Sequence, residues 1–179
     1  RGALIIGAFF HIFGNSFMHV FAPLLADGPL GLTEGGLGWL VAVMGFGGTV
    51  GTLVVAYASP SHHRGLLLTG ALAVFGGLLA AMAGASYLPM AWISFGVIVF
   101  VGAGQSIFMP LLSTLVLQAA PEQMRGRAMA LLGWDRALVS FGSAAAGFTA
   151  AAIGVQLGLL AFAGACVLGA LLLLSSGAL

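Results

Sequence analysis

Residues 121–131 read Pro-Glu-Gln-Met-Arg-Gly-Arg-Ala-Met-Ala-Leu, and this basic stretch lies between two long segments that carry almost no charge. It holds Arg125 and Arg127, two of the chain's five arginines. Arginine is costly to move across a bilayer, so the loops on the cytoplasmic side of a membrane protein collect it. The stretch is typical of a short cytoplasmic loop between two membrane-spanning helices.

The composition is that of an integral membrane protein. The 179 residues are 61% hydrophobic and 5% charged, and the mean hydropathy is +1.17, whereas soluble domains carry about a quarter charged residues. The sequence has no basic patch with interleaved aromatics, and this argues against a nucleic-acid partner. Cys166 is the only cysteine and lies in an apolar run, so the sequence indicates neither a disulfide framework nor a thiolate metal site. We expect no cofactor and no metal.

Six apolar runs are long enough to cross a bilayer, whose hydrocarbon core of roughly 30 Å takes about 20 helical residues. They lie at residues 3–26, 35–58, 65–84, 90–118, 128–150 and 155–177. None shows the alternation over short segments that a transmembrane barrel requires. The sequence therefore predicts an all-α, polytopic membrane bundle of six transmembrane helices, forming one domain over residues 1–179.

The loop charges predict the orientation of this bundle. With six spans both termini face the same side, and one assignment places every loop arginine on the cytoplasmic side. The groups on that side are Arg1, His62-His63-Arg64, Arg125 and Arg127, while the opposite loops hold only Asp27 and Glu34. This positive-inside pattern predicts that both termini face the cytoplasm, and we expect the plasma (inner) membrane.

Glycine is frequent in this sequence, with 29 copies that lie mostly inside the apolar runs. Small residues four apart let two helix backbones approach closely in lipid. The pairs at this spacing are Gly47 with Gly51, Ser143 with Gly147, and Gly154 with Gly158. They predict tight helix packing.

Polar residues inside the first run are candidates for function, because burying them in hydrocarbon is expensive. His11, Asn15 and His19 recur every four residues and so share one helix face. We expect this face to line a substrate cavity, and an imidazole that titrates near neutral pH is suited to carrying protons. The alternative is a histidine that is merely hydrogen-bonded to a neighbouring helix.

The fourth run carries a weaker version of the same pattern. Gln105, Ser106 and Met109 lie on one mildly polar face, beside Pro110, which interrupts the helical hydrogen bonds. Proline in a membrane helix is tolerated where neighbouring groups bond the freed carbonyl, as they do beside cavities. We expect cavity lining here, with simple packing as the alternative.

The fifth run contains the most expensive pair, Asp135-Arg136. At 1.5 Å per residue the pair lies roughly 12 Å beyond Arg127 along the helix, and each charge at such depth costs about 2.5–3.5 kcal/mol. The pair is a candidate for coupling or gating, and the alternative is a structural ion pair or a snorkelling arginine. By spacing, Asp135 shares a face with Gly142 and Ala146, which predicts close packing of that face.

These residues resemble a known family. Gly102-Ala103-Gly104, Pro110, and Pro121-Glu122 with Arg125-Gly126-Arg127 look like the fourth and fifth helices of a six-helix half of a major facilitator superfamily transporter. The stretches from Arg1 to Leu24 and from Gly47 to Arg64 are similar to the C-terminal half, closest to drug and siderophore exporters of the enterobactin-exporter type. The loop before Arg64 lacks the acidic residue that the family often has there.

The resemblance implies one half of a twelve-helix transporter, with a small-molecule substrate at the midplane between the halves. It implies proton-coupled efflux by an antiporter, with Arg64, Arg125 and Arg127 as gating candidates. The expected partners are the lipid bilayer and either the missing N-terminal half or a second copy. Since the chain begins on Arg1 and not on methionine, we expect a fragment or a trimmed chain.

Two other classes of protein compete with a transporter as interpretations of this sequence. A non-transporting membrane module that assembles through its glycine-rich faces stays open as an alternative. An intramembrane protease also has six helices, but its serine needs an imidazole within hydrogen-bond reach. Such an enzyme normally has this histidine on a later helix than the serine, whereas all four histidines here precede Ser86. The sequence therefore predicts that the protein is not an enzyme.

Overall fold

The computed structural model describes residues 2–32, 35–57, 64–88 and 91–175. All regular elements within these ranges are helices, which confirms the all-α membrane bundle. The α-helices are α1 (Gly2–Phe9), α2 (Ala22–Asp27), α3 (Gly36–Tyr57), α4 (Arg64–Ala85), α5 (Ala91–Ala119), α6 (Arg125–Ile153) and α7 (Val155–Ser175). Apart from the division of the first run, these bounds follow the predicted runs to within a few residues.

The first run is one continuous span built from four pieces. Between α1 and α2 the backbone widens into two π-helical turns, Phe10–Gly14 and Phe17–Phe21. The amide of Asn15 donates to the carbonyl of Phe10 over 2.8 Å, five residues back, as a π turn requires. We call Leu4–Asp27 the first span.

Five helices of the described chain are long and apolar enough to cross a membrane: the first span, α3, α4, α5 and α7. The remaining predicted span, residues 128–150, falls on α6 and stays a prediction. This helix is 29 residues long, and the apolar stretch among its described residues is Ala137–Ile153. The side chains of residues 131–132 and 134–136, in the first part of the predicted span, lie outside what the structure describes.

Glycine allows α3 and α5 to cross with their backbones in contact. A Cβ added to Gly47 would collide with the carbonyl of Val99, and one added to Gly102 would collide with the carbonyl of Met44. At Gly51 the added atom would lie 2.6 Å from the carbonyl oxygen of Ala103. The predicted packing role of Gly47 and Gly51 is therefore confirmed.

The other glycine pairs behave differently. Gly154 has φ +90, in the region that favours glycine, and it makes the turn between α6 and α7. A Cβ at Gly158 would lie 3.2 Å from the ring of Phe21, whereas one at Gly147 would meet open space. Glycines with equal spacing in the sequence therefore lie in three different environments: a helix crossing, a turn and open space.

The buried core combines aliphatic side chains with several phenylalanine rings, and the outer surface is also apolar. The rings of Phe10 and Phe108 stack with their centroids 3.8 Å apart, which ties the first span to α5. On the outside, Trp39 is 70% exposed and Phe148 is 79% exposed. Large apolar side chains exposed in this number are compatible with a lipid surround and not with water.

Candidate functional site

A cavity of about 430 Å³ lies where the first span, α5 and α6 meet. Its lining combines polar and apolar side chains: Phe10, His11, Asn15, His19, Gln105, Met109 and Val139. Five of the six residues that the sequence predicts for a substrate cavity are thus brought to one place. They come from two helices that are far apart in the chain.

The contact that joins these two helices is a hydrogen bond between amide side chains. Gln105 Nε2 donates to Asn15 Oδ1 over 2.6 Å, and both side chains are half-buried. Beyond this bond the pair still carries the amide hydrogens of Asn15 and the carbonyl oxygen of Gln105. The cavity wall therefore offers both hydrogen-bond donors and an acceptor to a ligand.

His11 is held in a fixed orientation beside this pair. Its side chain is buried, with 3% of its surface exposed, and its Nδ1 lies 2.9 Å from the carbonyl oxygen of Gly7. A carbonyl can only accept, so Nδ1 carries the hydrogen and donates it. His19 is exposed and lies at the other end of the polar face.

The π turns keep the polar face straight. Four residues overshoot one turn of an α-helix by about 40°, and they fall short of the wider π turn. A span that mixes the two geometries lets residues four apart stay closer to one line. Asn15 follows the first π turn directly and His19 lies within the second, so both turns fall inside the polar face.

Ser106 lies apart from the cavity. A Cβ added to Gly48 would lie 2.5 Å from Ser106 Oγ, so this side chain packs in the crossing between α5 and α3. Adjacent residues on an α-helix point about 100° apart, and Gln105 and Ser106 accordingly belong to different contacts. The prediction that both share the cavity face does not match this placement.

Phe10 and Val139 line the cavity although the sequence analysis did not select them. They are apolar residues within apolar runs, and nothing in their pattern separates them from core positions. Val139 stands four residues after Asp135, about one helical turn along α6. This spacing from a charged residue was the only sequence feature that could have selected Val139 as a lining residue.

Of the five coupling and gating candidates, the structure describes the side chains of two, Arg125 and Arg127. Arg64, Asp135 and Arg136 belong to helices α4 and α6, but their side chains lie outside what the structure describes. Arg127 is exposed. Arg125 pairs with Glu122 at 3.6 Å in an exposed position, where an ion pair is worth about 0–1 kcal/mol.

The face of α6 beyond Asp135 is tightly packed against the first span. A Cβ on Gly142 would collide with the carbonyl of Ile12 and lie 2.7 Å from Ser16 Oγ. Ala146, one turn further, is fully buried. The predicted close packing of Gly142 and Ala146 is confirmed, and it places α6 firmly against the polar span.

An apolar helical bundle of membrane length, with polar side chains converging on a cavity inside it, defines a polytopic integral membrane protein. The sequence profile of the Major Facilitator Superfamily matches residues 4–176, and the chain belongs to this family. The family is one of transporters and not of enzymes, which agrees at family level with the expectation for this chain. No curated protein and no solved structure matches the chain.

Proposed function

We propose that this chain forms one wall of the substrate pathway of a proton-coupled exporter that moves a small molecule by alternating access. The observation that carries the proposal is the convergence of His11, Asn15 and Gln105 on one cavity inside an otherwise apolar bundle. Polar side chains in a membrane interior are expensive and mark substrate or ion pathways. The volume of about 430 Å³ lies within the range of small-molecule sites, about 300–1,000 Å³.

The proposal assigns this chain to the C-terminal half of a twelve-helix transporter. The first span, α5 and α6 supply one wall of the cavity, and a second six-helix unit would supply the opposite wall. That unit is either an N-terminal half or a second copy of this chain. The expected orientation has both termini in the cytoplasm, in the plasma membrane. Cysteines replacing Gly28 and Met124 should then label from opposite sides, and labelling from one side would contradict this topology.

Proton coupling is assigned to Asp135 or to one of the two cavity histidines. A carboxylate or an imidazole can change its protonation between the two orientations of the transporter. Arg136, Arg64, Arg125 and Arg127 are the candidates for gating contacts. Asp135 lies one turn before Val139 on α6, so its backbone is close to the cavity.

A non-transporting module that assembles through glycine-rich faces is the weaker alternative. The backbone contacts of Gly47, Gly51 and Gly102 are all made between α3 and α5 of the same chain. These glycines therefore serve the internal packing of the bundle and are not available to a partner. The module hypothesis also gives no reason for the half-buried polar pair Asn15 and Gln105.

The test is a transport assay with the assembled transporter in inside-out vesicles under an imposed proton gradient. A panel of labelled, uncharged and amphipathic compounds is screened for uptake. The double variant Asn15→Leu/Gln105→Leu should lose saturable uptake of every compound that the wild type moves. Thr49→Val is the matched control, because Thr49 Oγ is exposed and donates to the carbonyl of Gly45 in its own helix. Unchanged uptake by the double variant would show that the cavity is not the pathway.

A further inference from the structure

A second cavity of about 470 Å³ lies between the later part of the first span, the end of α6 and the start of α7. Its lining is His19, Val20, Pro23, Leu24, Gly147, Ala150, Ala151 and Val155. Apart from His19, these residues carry only apolar side chains or none. The cavity is therefore an apolar space of nearly the same volume as the polar cavity.

The two cavities adjoin at His19, which lines both of them. On one side of this imidazole lie the hydrogen-bonding groups of His11, Asn15 and Gln105. On the other side lie the aliphatic residues from Val20 onward and the small residues of α6. A ligand that occupies both spaces therefore meets a polar environment at one end and an apolar environment at the other.

We propose that the substrate is an amphipathic small molecule, with a hydrogen-bonding group in the polar cavity and an apolar tail in the second cavity. His19 lies at the junction and contacts both parts. The inference rests on the proposed function and extends it to a substrate class. The polar cavity is lined by the amides of Asn15 and Gln105 and the imidazoles of His11 and His19, which suit a hydrogen-bonding head group.

The tail is recognised by shape. Lipid tails are as apolar as the protein surface, so no hydrophobic driving force distinguishes the second cavity from the bilayer. A chain of suitable length fits the space, and a side chain that fills the space excludes it. Gly147 is the place for such a side chain, because a Cβ there meets nothing within 4 Å, and the fold can therefore accept a larger residue.

The experiment uses two photoreactive probes with the reconstituted protein. Each is a 4-hydroxybenzamide whose amide nitrogen carries an alkyl chain ending in a diazirine, and the chain is ethyl in one probe and hexyl in the other. The ethyl probe should label the polar cavity near Met109 and Val139. The hexyl probe should label residues 20–24 and 147–155, and labelled residues are located by mass spectrometry.

Gly147→Leu should reduce labelling by the hexyl probe relative to the ethyl probe by roughly tenfold, because the leucine side chain occupies the space that the hexyl chain would fill. The ratio of the two probes cancels their partition into the bilayer. Gly77→Leu is the matched control, because Gly77 also faces open space but lies on α4, away from both cavities. This control should leave the ratio unchanged.

Three outcomes would overturn the inference. The first is a ratio that does not change in Gly147→Leu, and the second is the absence of saturable labelling by either probe. The third is labelling of residues 147–155 by a phosphatidylcholine with a diazirine in its acyl chain, undiminished by excess hexyl compound, which would make the second cavity a lipid groove. Transport that depends on Asn15 and Gln105 would survive any of these results, so the proposed function is tested separately.

Discussion

Helix α5 takes part in two contacts of opposite character. Against α3 it presents Gly102 and the backbone of Val99, and at these positions the two helix backbones are in contact. Against the first span it presents Gln105, which forms a hydrogen bond with Asn15 beside an open cavity. The comparison teaches that stability and function occupy different faces of one helix and make different physical demands on the sequence.

The crossing of α3 and α5 requires positions without a side chain. The contact between Asn15 and Gln105 requires particular hydrogen-bonding groups. At Gly47, Gly51 and Gly102 an added carbon must displace a helix backbone. At the polar contact a substitution of similar size keeps the packing and removes only hydrogen-bonding groups. Interhelical hydrogen bonds in membranes average only about 0.6 kcal/mol, so the polar contact contributes little to stability. Changes at the two places should therefore have separable effects.

The largest effect is expected in the crossing. Gly102→Leu would place a side chain against the backbone carbonyl of Met44 and force α3 and α5 apart, at a cost of about 1–3 kcal/mol or more. The variant should lose its monodisperse peak in size-exclusion chromatography or melt at a lower temperature. Gly77→Leu has the same change of volume in open space and should elute like the wild type. Equal behaviour of the two variants would contradict the crossing.

The next effect concerns coupling. Asp135→Asn should abolish transport driven by a proton gradient, because the amide cannot exchange a proton. The variant should remain folded and inserted, and it should still exchange labelled for unlabelled substrate with no gradient. Gradient-driven transport with an unchanged pH dependence would exclude Asp135 from coupling. The coupled proton would then be carried by His11, by His19 or by a residue of the other half of the transporter.

A smaller structural effect with a clear functional one is expected at the polar pair. In a double-mutant cycle, Asn15→Leu and Gln105→Leu should show a coupling of about 0.6 kcal/mol, with an upper limit near 1.7 kcal/mol, in thermal unfolding. Each single variant should nevertheless raise the KM for substrate about tenfold, the equivalent of 1.4 kcal/mol. A loss of stability as large as that of Gly102→Leu would remove the distinction between the two faces.

The weakest effect is expected at His19, which is exposed at the junction of the two cavities. His19→Ala should weaken substrate binding or shift its pH dependence and leave the fold intact, since no helix backbone packs against an exposed side chain. His11→Ala should act more strongly, because His11 is buried and bonded to Gly7. If His19→Ala binds substrate like the wild type at every pH, His19 takes no part in the substrate site.

Much of this arrangement could be predicted from the sequence, because the signals were local. The four-residue spacing of His11, Asn15 and His19 needed only helix geometry, and the positions of the helices followed from the lengths of the apolar runs. The hydrogen bond between Asn15 and Gln105 could not be predicted, because it joins residues 90 positions apart. No residue type in the first span marks its π turns.

Glycine shows the same limit. Gly47 with Gly51 and Ser143 with Gly147 have the same spacing, yet the first pair contacts a helix backbone and Gly147 faces a cavity. Spacing tells which residues share a face and not what lies opposite that face. Ser106 was assigned to the cavity for the same reason, since the width of the polar face was estimated from residue type and not from contacts.

The central claim is that polar side chains of the first span and α5 line a space that water and substrate can enter. Cysteine accessibility in the assembled transporter tests it directly, in a background where the buried Cys166 is replaced by alanine. Cysteines at His19 and Met109 should react rapidly with a charged, water-soluble methanethiosulfonate reagent. Cysteines at Phe46, which is 67% exposed on the outer surface, and at the buried Leu72 should not react. Comparable rates at all four positions, or none at His19 and Met109, would contradict the account.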